Sequence, residues 1–315
     1  MKKHNGIVII LLLLSASLFW LDFSAGDINM KDEVFTAFRF PRVMAAALTG
    51  IGLSVSGLAM QTLFRNPLAG PFLTGATPGA SFAVAIFLMA FPAGFAAGWM
   101  QSAGIAAIGM AGSMAVLLLQ ILIQRRHGNA FTLLISGVLL GYLLGAGTEI
   151  LQGLAQAEQV KSFIMWGLGG FDRVQQKEIP LIGSIVAVST AALWFLRFKL
   201  DTYLPGDTYA TSAGMDISKF RIIVVILVGL TAGAITGFCG PIGFVGMIAP
   251  HIARGLMKSN NHGTLWLPTL LCGMTLCMLA DWVAHHALND IILPTNAVCA
   301  IMGAPAVLWI ILRKK

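Results

Sequence analysis

Long apolar runs, broken by short polar or proline-glycine segments, set the pattern of this chain. They cover roughly residues 6–21, 43–63, 72–91, 101–123, 130–154, 179–198, 220–238, 242–254, 264–288 and 296–312. A helix over 43–64, between Arg42 and Arg65, is roughly 33 Å long at ~1.5 Å per residue, enough to cross a hydrocarbon core of ~30 Å. The pattern therefore predicts an all-α, polytopic membrane protein with about ten transmembrane helices, forming a single domain over residues 1–315. The 43–63 run is rich in small residues, among them Ala45, Ala46, Ala47, Gly50, Ser54 and Gly57. Small side chains let helices approach closely where lipid gives no hydrophobic drive for association, so this span is expected at the centre of the bundle. Gly137, Gly141 and Gly145 similarly shave one face of the 130–154 span. The 242–254 run follows Pro241, a residue suited to a helix's first turn, and reaches only ~20 Å. Such a short element needs neighbours or a water-filled cavity at its ends. Between spans, the stretch from Ala155 to Glu178 is expected to hold a short helix lying at the surface.

Composition agrees with this class. The chain is 57% hydrophobic and only 10% charged, whereas about a quarter of residues are charged in soluble domains. The net charge of +7 comes without a basic run or an aromatic platform, which argues against nucleic acid. Charges in the loops point to an orientation instead. If the first run is retained rather than cleaved as a signal peptide, both termini share one side. Only Lys31, Arg39, Arg42, Lys161, Arg173 and Lys177 then fall on the opposite side. The positive-inside rule makes the termini cytoplasmic, and Arg39 and Arg42 become outer cations that require a reason. The four cysteines, Cys239, Cys272, Cys277 and Cys299, sit in apolar runs without a CxxC pair and read as small core residues.

Candidate chemistry is sparse. No GxxxxGK[ST] loop is present, so ATP used in transport must be bound and hydrolysed by another subunit. Glu149 and Asp281 are the acids inside apolar runs, and they make a proton-coupled carrier the rival reading. Against that reading, both lie near the outer ends of their spans, and no Lys or Arg within either of those two spans stands ready as a partner. Asp281 and His285, four residues apart beside His286, offer at most a weak metal pair. No metal or cofactor is expected, and no nucleophile and base constellation suggests an enzyme.

Two long motifs carry a resemblance. The stretch RFPRVMAAALTGIGLSVSGLAMQTLFRNPLAGPFLTGATPGA from Arg39 and the stretch GPIGFVGMIAPHIAR from Gly240 resemble the signatures of the FecCD permeases. These are membrane subunits of ATP-binding-cassette importers for iron-siderophores, haem and cobalamin. LPGDTYATSAGM, from Leu204 to Met215, resembles their coupling sequence, and the closing MGAPAVLWIILRKK resembles their last span. The resemblance implies a type II importer permease in the inner (cytoplasmic) membrane. It also implies a homodimer, surrounded by membrane lipid, with two cytoplasmic ATPase subunits and an extracytoplasmic substrate-binding protein. It further implies binding-protein docking by Arg39 and Arg42, with His285 where the family usually has a third arginine. Docking is then expected to weaken above pH ~6.5. Asn66, Pro67, Leu68 and Ala69 match the family's gate at the cytoplasmic mouth. Gly206, Asp207, Ala210, Gly214 and Met215 match the ATPase-coupling helices, over about 203–217. Gly240, Pro241, Phe244, Gly246, Pro250, His251 and Arg254 match the second signature, which positions that surface. Departures fall at Pro205, Ile292, Asn296 and Cys299. An iron chelate is the expected cargo, by family abundance, with cobalamin as the alternative.

Overall fold

The computed structural model describes residues 2–24, 38–90, 100–127, 130–288 and 291–313, and these contain helices and turns but no strand. Lys31, Lys314 and Lys315, and the side chains of Lys2, Lys3, Arg125, Arg126 and Arg313, used in the charge count, lie outside the described part. The described residues form thirteen helices. These are α1 (Lys2–Ser24), α2 (Phe40–Leu63), α3 (Ala76–Ala90), α4 (Met100–His127), α5 (Ala130–Leu154), α6 (Ala157–Gly167) and α7 (Ile179–Phe195). They continue with α8 (Arg197–Tyr203), α9 (Asp207–Ser212), α10 (Ile217–Cys239), α11 (Val245–Met257), α12 (His262–His286) and α13 (Thr295–Arg313). Seven of them are long and apolar enough to cross a membrane, and the remaining apolar runs correspond to α3, α11 and α13, so ten is an approximate count of spans.

Helix α2 is the axis of the molecule. Of its apolar window 83% is buried, against 17% for α1 and for α5, so the small-residue span is central and those two helices are peripheral. It packs against α12, α11, α10 and α7. Two glycine contacts set the spacing. A Cβ on Gly50 would lie 2.3 Å from the Gly273 carbonyl oxygen on α12, and one on Gly57 would lie 1.6 Å from the Gly246 oxygen on α11. Pro250 belongs to the same contact, because it lacks the N–H that would bond the carbonyl four residues earlier, which is that of Gly246. The freed oxygen faces the Gly57 backbone. On α5 the glycine face is filled only in part: Gly141 meets Pro78, while Gly145 has no neighbour within 4 Å.

The connection between α10 and α11 departs from expectation. Helix α11 begins at Val245, three residues later than the expected start, and Pro241 lies in the connecting turn rather than in a first turn. The reason is a double backbone reversal, with Gly240 at φ 73° and Phe244 at φ 64°. Helix α6 realises the expected surface element, with Phe163 and Trp166 buried beneath it and a reciprocal cap between Gln156 and Gln159. All four cysteines are free and buried.

Candidate functional site

Polar groups gather at the two ends of α2, and roughly 30 Å of helix separates Arg42 from Gln61. At the first end the Arg42 guanidinium lies 3.1 Å from an Asp281 oxygen, 3.2 Å from Asp22 and 3.8 Å from Asp172. His285 adds an Nε2 contact to Asp172 at 2.9 Å and an Nδ1 contact to the Asp281 backbone oxygen at 2.9 Å. Asp22 and Asp281 are fully buried. One cluster thus ties α1, α2, α12 and the segment between α6 and α7. Three carboxylates face one guanidinium and one imidazole, so the cation is fully claimed. Burial pushes the Asp172 carboxyl up, but the hydrogen bond with His285 and the charges of His285 and Arg42 outweigh it and hold it below the ordinary value.

This geometry corrects the expectation that Asp281 lacks a basic partner. The partner is Arg42, brought over by the close α2–α12 crossing at Gly50 and Gly273. Glu149 is elsewhere, exposed on α5. Arg39 is half-buried at the head of α2, and it has no ion pair among the described residues. Two of the three expected docking residues, Arg42 and His285, are thus engaged with carboxylates of their own chain. Among the described residues no three His, Cys, Asp or Glu side chains are grouped to hold a metal ion.

At the other end, α2 stops where Arg65 turns to φ 48°. The Asn66 side chain accepts the Leu68 N–H at 2.9 Å, and its backbone oxygen accepts the Ala69 N–H at 3.0 Å. Asn66, Pro67, Leu68 and Ala69 thus form one tight turn, with Pro67 excluding helix at Asn66. Arg65 reaches Asp207 at 3.9 Å. Gly206, at φ 117°, leaves room for it: a Cβ there would sit 2.7 Å from the Arg65 Nη1 atom. Asp207 opens α9, yet its carboxylate does not cap the helix. It accepts from the Tyr203 hydroxyl at 2.9 Å and from the buried Arg221 at 2.6 Å. Burial raises the Asp207 carboxyl, but Tyr203, Arg221 and Arg65 outweigh it and leave the carboxyl below the usual range. Ala210 is buried and its oxygen accepts the Met215 N–H at 3.0 Å, while Gly214 takes φ 79°, which closes α9 into a compact knob.

Two more links brace this end. Gln61 donates to the Met247 oxygen at 2.8 Å and accepts from Arg254 of α11. Thr62 meets His262 at 2.8 Å, and His262 in turn meets Asp201 of α8 at 2.5 Å. His251 lies on α11 one residue after Pro250 and is half-buried. Sequence reasoning missed Asp22, Asp172, Asp201, Tyr203, Gln61, Thr62, Arg221 and His262. For the charged ones the only signal was the presence of opposite charges near the ends of different apolar runs, which does not say which ends meet; Gln61, Thr62 and Tyr203 had none.

Between the two ends lies a cavity of about 380 Å³. Leu53, Leu68, Pro71, Phe244, Met247 and Asn296 are among its walls, so the first motif's turn and the second motif's loop share one space. The Asn296 side chain accepts the Gly243 N–H at 3.0 Å and holds that loop to the start of α13.

The model of the FecCD transport family matches residues 6–313. The chain belongs to the FecCD transport family. Among curated FecCD relatives, the vitamin B12 import system permease protein BtuC of Citrobacter koseri is 32% identical over 310 residues, covering 97% of this chain and 91% of that protein. The corresponding protein of Salmonella typhi is 32% identical over 307 residues, covering 96% and 91%. A solved metal-chelate type ABC transporter in an inward-facing conformation matches with a TM-score of 0.87 at 25% identity, over 99% of this chain and 100% of that one. A complex described as PsaBC from Streptococcus pneumoniae with Fab shares the fold alone, at TM-score 0.63 and 15% identity, over 89% and 91% of the two chains. This FecCD protein is a multi-pass membrane permease of the ABC importer type.

Proposed function

We propose that the chain is the permease half of an importer for a large metal chelate, with cobalamin as the first candidate and ferric siderophore or haem behind it. The observation that carries this order is the end-to-end relation to vitamin B12 permeases at 32% identity over 97% of the chain. Family abundance alone had put an iron chelate first. Two copies form the path, two ATPase subunits dock at the α9 end, and a binding protein docks at the Arg39 end. Both termini face the cytoplasm in the inner membrane, and residues 1–315 act as one permease domain. The apolar outer face of α5, with Leu139, Tyr142, Leu143 and Ile150 exposed, supports pairing with a second copy. Gate and coupling functions fall on neighbouring groups. Asn66–Ala69 closes the path, and Gly206–Met215 carries the ATPase contact. The Arg65–Asp207–Arg221 chain joins them. The second-signature residues Gly240, Pro241, Phe244, Gly246, Pro250, His251 and Arg254 set the cavity wall and brace it. Arg39 is the docking cation that remains free of acids within the described chain, and Arg42 and His285 contribute only in competition with Asp22, Asp172 and Asp281.

Reconstitution with the ATPase and binding protein in liposomes tests this reading. Radiolabelled cobalamin should accumulate only with ATP inside and with both partners present. Uptake without the ATPase, or driven by a proton gradient, would remove the importer assignment. ATP-dependent uptake of a ferric siderophore or haem in preference to cobalamin would remove the substrate assignment alone.

A further inference from the structure

A second concavity opens between α2, α7 and α12 and shares no wall residue with the first. It has a volume of about 450 Å³, and Leu48, Gly183, Ala187, Ala191, Trp194 and Trp266 are among its walls. Along α7 it extends from Gly183 to Trp194, roughly 16 Å, about half of a ~30 Å hydrocarbon core and so the depth of one leaflet. The groove exists because α7 presents small side chains there: Gly183 comes no closer than an ordinary contact to Leu48, and Ala187 and Ala191 are exposed. At one end it is closed by Trp194 against Trp266, with ring centroids 5.5 Å apart.

That closed end carries positive charge. The Arg197 guanidinium lies 4.1 Å from the Trp194 ring centroid and 4.3 Å from that of Phe198, and it donates to the Trp194 backbone oxygen at 3.1 Å. Neither Arg197 nor the exposed Lys199 has an ion pair among the described residues. The nearby carboxylate, Asp201, is taken by His262 and Asn261. Phe195 and Phe198 are exposed at the same level, as aromatic rings are at the boundary between hydrocarbon and headgroups. A guanidinium held against two aromatic rings still has donors in a fork suited to a phosphate.

We propose that the α2–α7–α12 groove and Arg197 form one binding site for an anionic phospholipid, with an acyl chain in the groove and the phosphate on Arg197. A zwitterionic lipid fits the groove equally but gains less from the cation, since each basic group near a headgroup contributes about 1 kcal/mol of attraction to anionic lipid. The occupant is distinguished by charge, and the bland occupant is ordinary boundary lipid without preference.

Native mass spectrometry of the full-length protein, titrated with phosphatidylglycerol or phosphatidylcholine of the same chains, tests the site. Wild type should bind its first phosphatidylglycerol at least roughly fivefold more tightly than phosphatidylcholine. Arg197→Gln should remove most of that preference while leaving the melting temperature in phosphatidylcholine unchanged, and Arg197→Lys should keep it. The double variant Ala187→Leu, Ala191→Leu fills the groove from its exposed side and should weaken the first lipid of both kinds. Equal affinity for the two lipids in wild type, an unchanged preference in Arg197→Gln, or unchanged first-lipid binding in the filled variant would each overturn the proposal in favour of unselective boundary lipid.

Discussion

Arg42 is a single guanidinium among three carboxylates, two of them fully buried. Removing it leaves Asp22 buried without a counter-charge and Asp281 with only the His285 imidazole at 3.5 Å, which costs about 3–5 kcal/mol. Arg42→Ala should therefore lower the thermal unfolding midpoint in detergent sharply, and adding Asp281→Asn should recover part of the loss. Asp22→Asn alone should cost far less, because the cluster holds more acid than base. An Arg42→Ala protein that melts like wild type would show the cluster to be dispensable. Arg39 behaves differently. Substitution by Ala should leave the melting midpoint unchanged and slow association with the binding protein, an effect that salt should diminish. Surface plasmon resonance at two ionic strengths measures it.

Elements meet through backbone contacts and through ionic links. At Gly57 an added methyl would collide with the Gly246 carbonyl, which is backbone and cannot rotate away. Gly57→Ala should then cost about 3 kcal/mol or prevent assembly of α2 with α11, whereas Gly145→Ala, facing open space, should change stability by less than about 0.5 kcal/mol. Chemical unfolding in detergent compares the two. The relay from Arg65 through Asp207 to Arg221 joins the turn after α2 to α9. Asp207→Asn should keep the fold and reduce the stimulation of ATPase by substrate-loaded binding protein. The acid side of stability follows from the same carboxylate. Its value in the fold is depressed, so its stabilisation is complete above the unfolded value near ~4 and is lost as pH falls through the folded value. Melting curves of wild type and Asp207→Asn should accordingly converge below pH ~4.

At the scale of the whole molecule, α2 is a rigid post with polar joints at both ends, each tying it to several other helices. Signals between a binding protein and an ATPase must cross roughly 30 Å, and two close glycine crossings make α2 and its neighbours α11 and α12 move together rather than slide. Transport should thus be lost when the crossings are loosened even though neither end is touched. Uptake in liposomes by a mildly destabilised Gly50 variant, measured at a temperature where the protein remains folded, checks this. Glu149→Gln, exposed on α5 and away from both clusters, should leave ATP-driven uptake within about twofold of wild type; an abolished uptake would bring proton coupling back.

Helix identity, the central place of α2 and the family were legible in the chain because each depends on local quantities: the length of an apolar run, the size of side chains along it, and the order of residues in two motifs. The partners of the charged residues were not. Arg42 lies far along the chain from Asp281, and His262 from Asp201, and only the crossing of α2 with α12 and the folding of α8 beneath it bring them together. Pro241 shows the limit at close range, since its place in a turn depended on the φ values of Gly240 and Phe244 rather than on its own preference. Local physics determines which segments cross a membrane. Which charges neutralise one another inside it depends on how the segments pack, because a buried ion is stable only beside a partner that tertiary contact supplies.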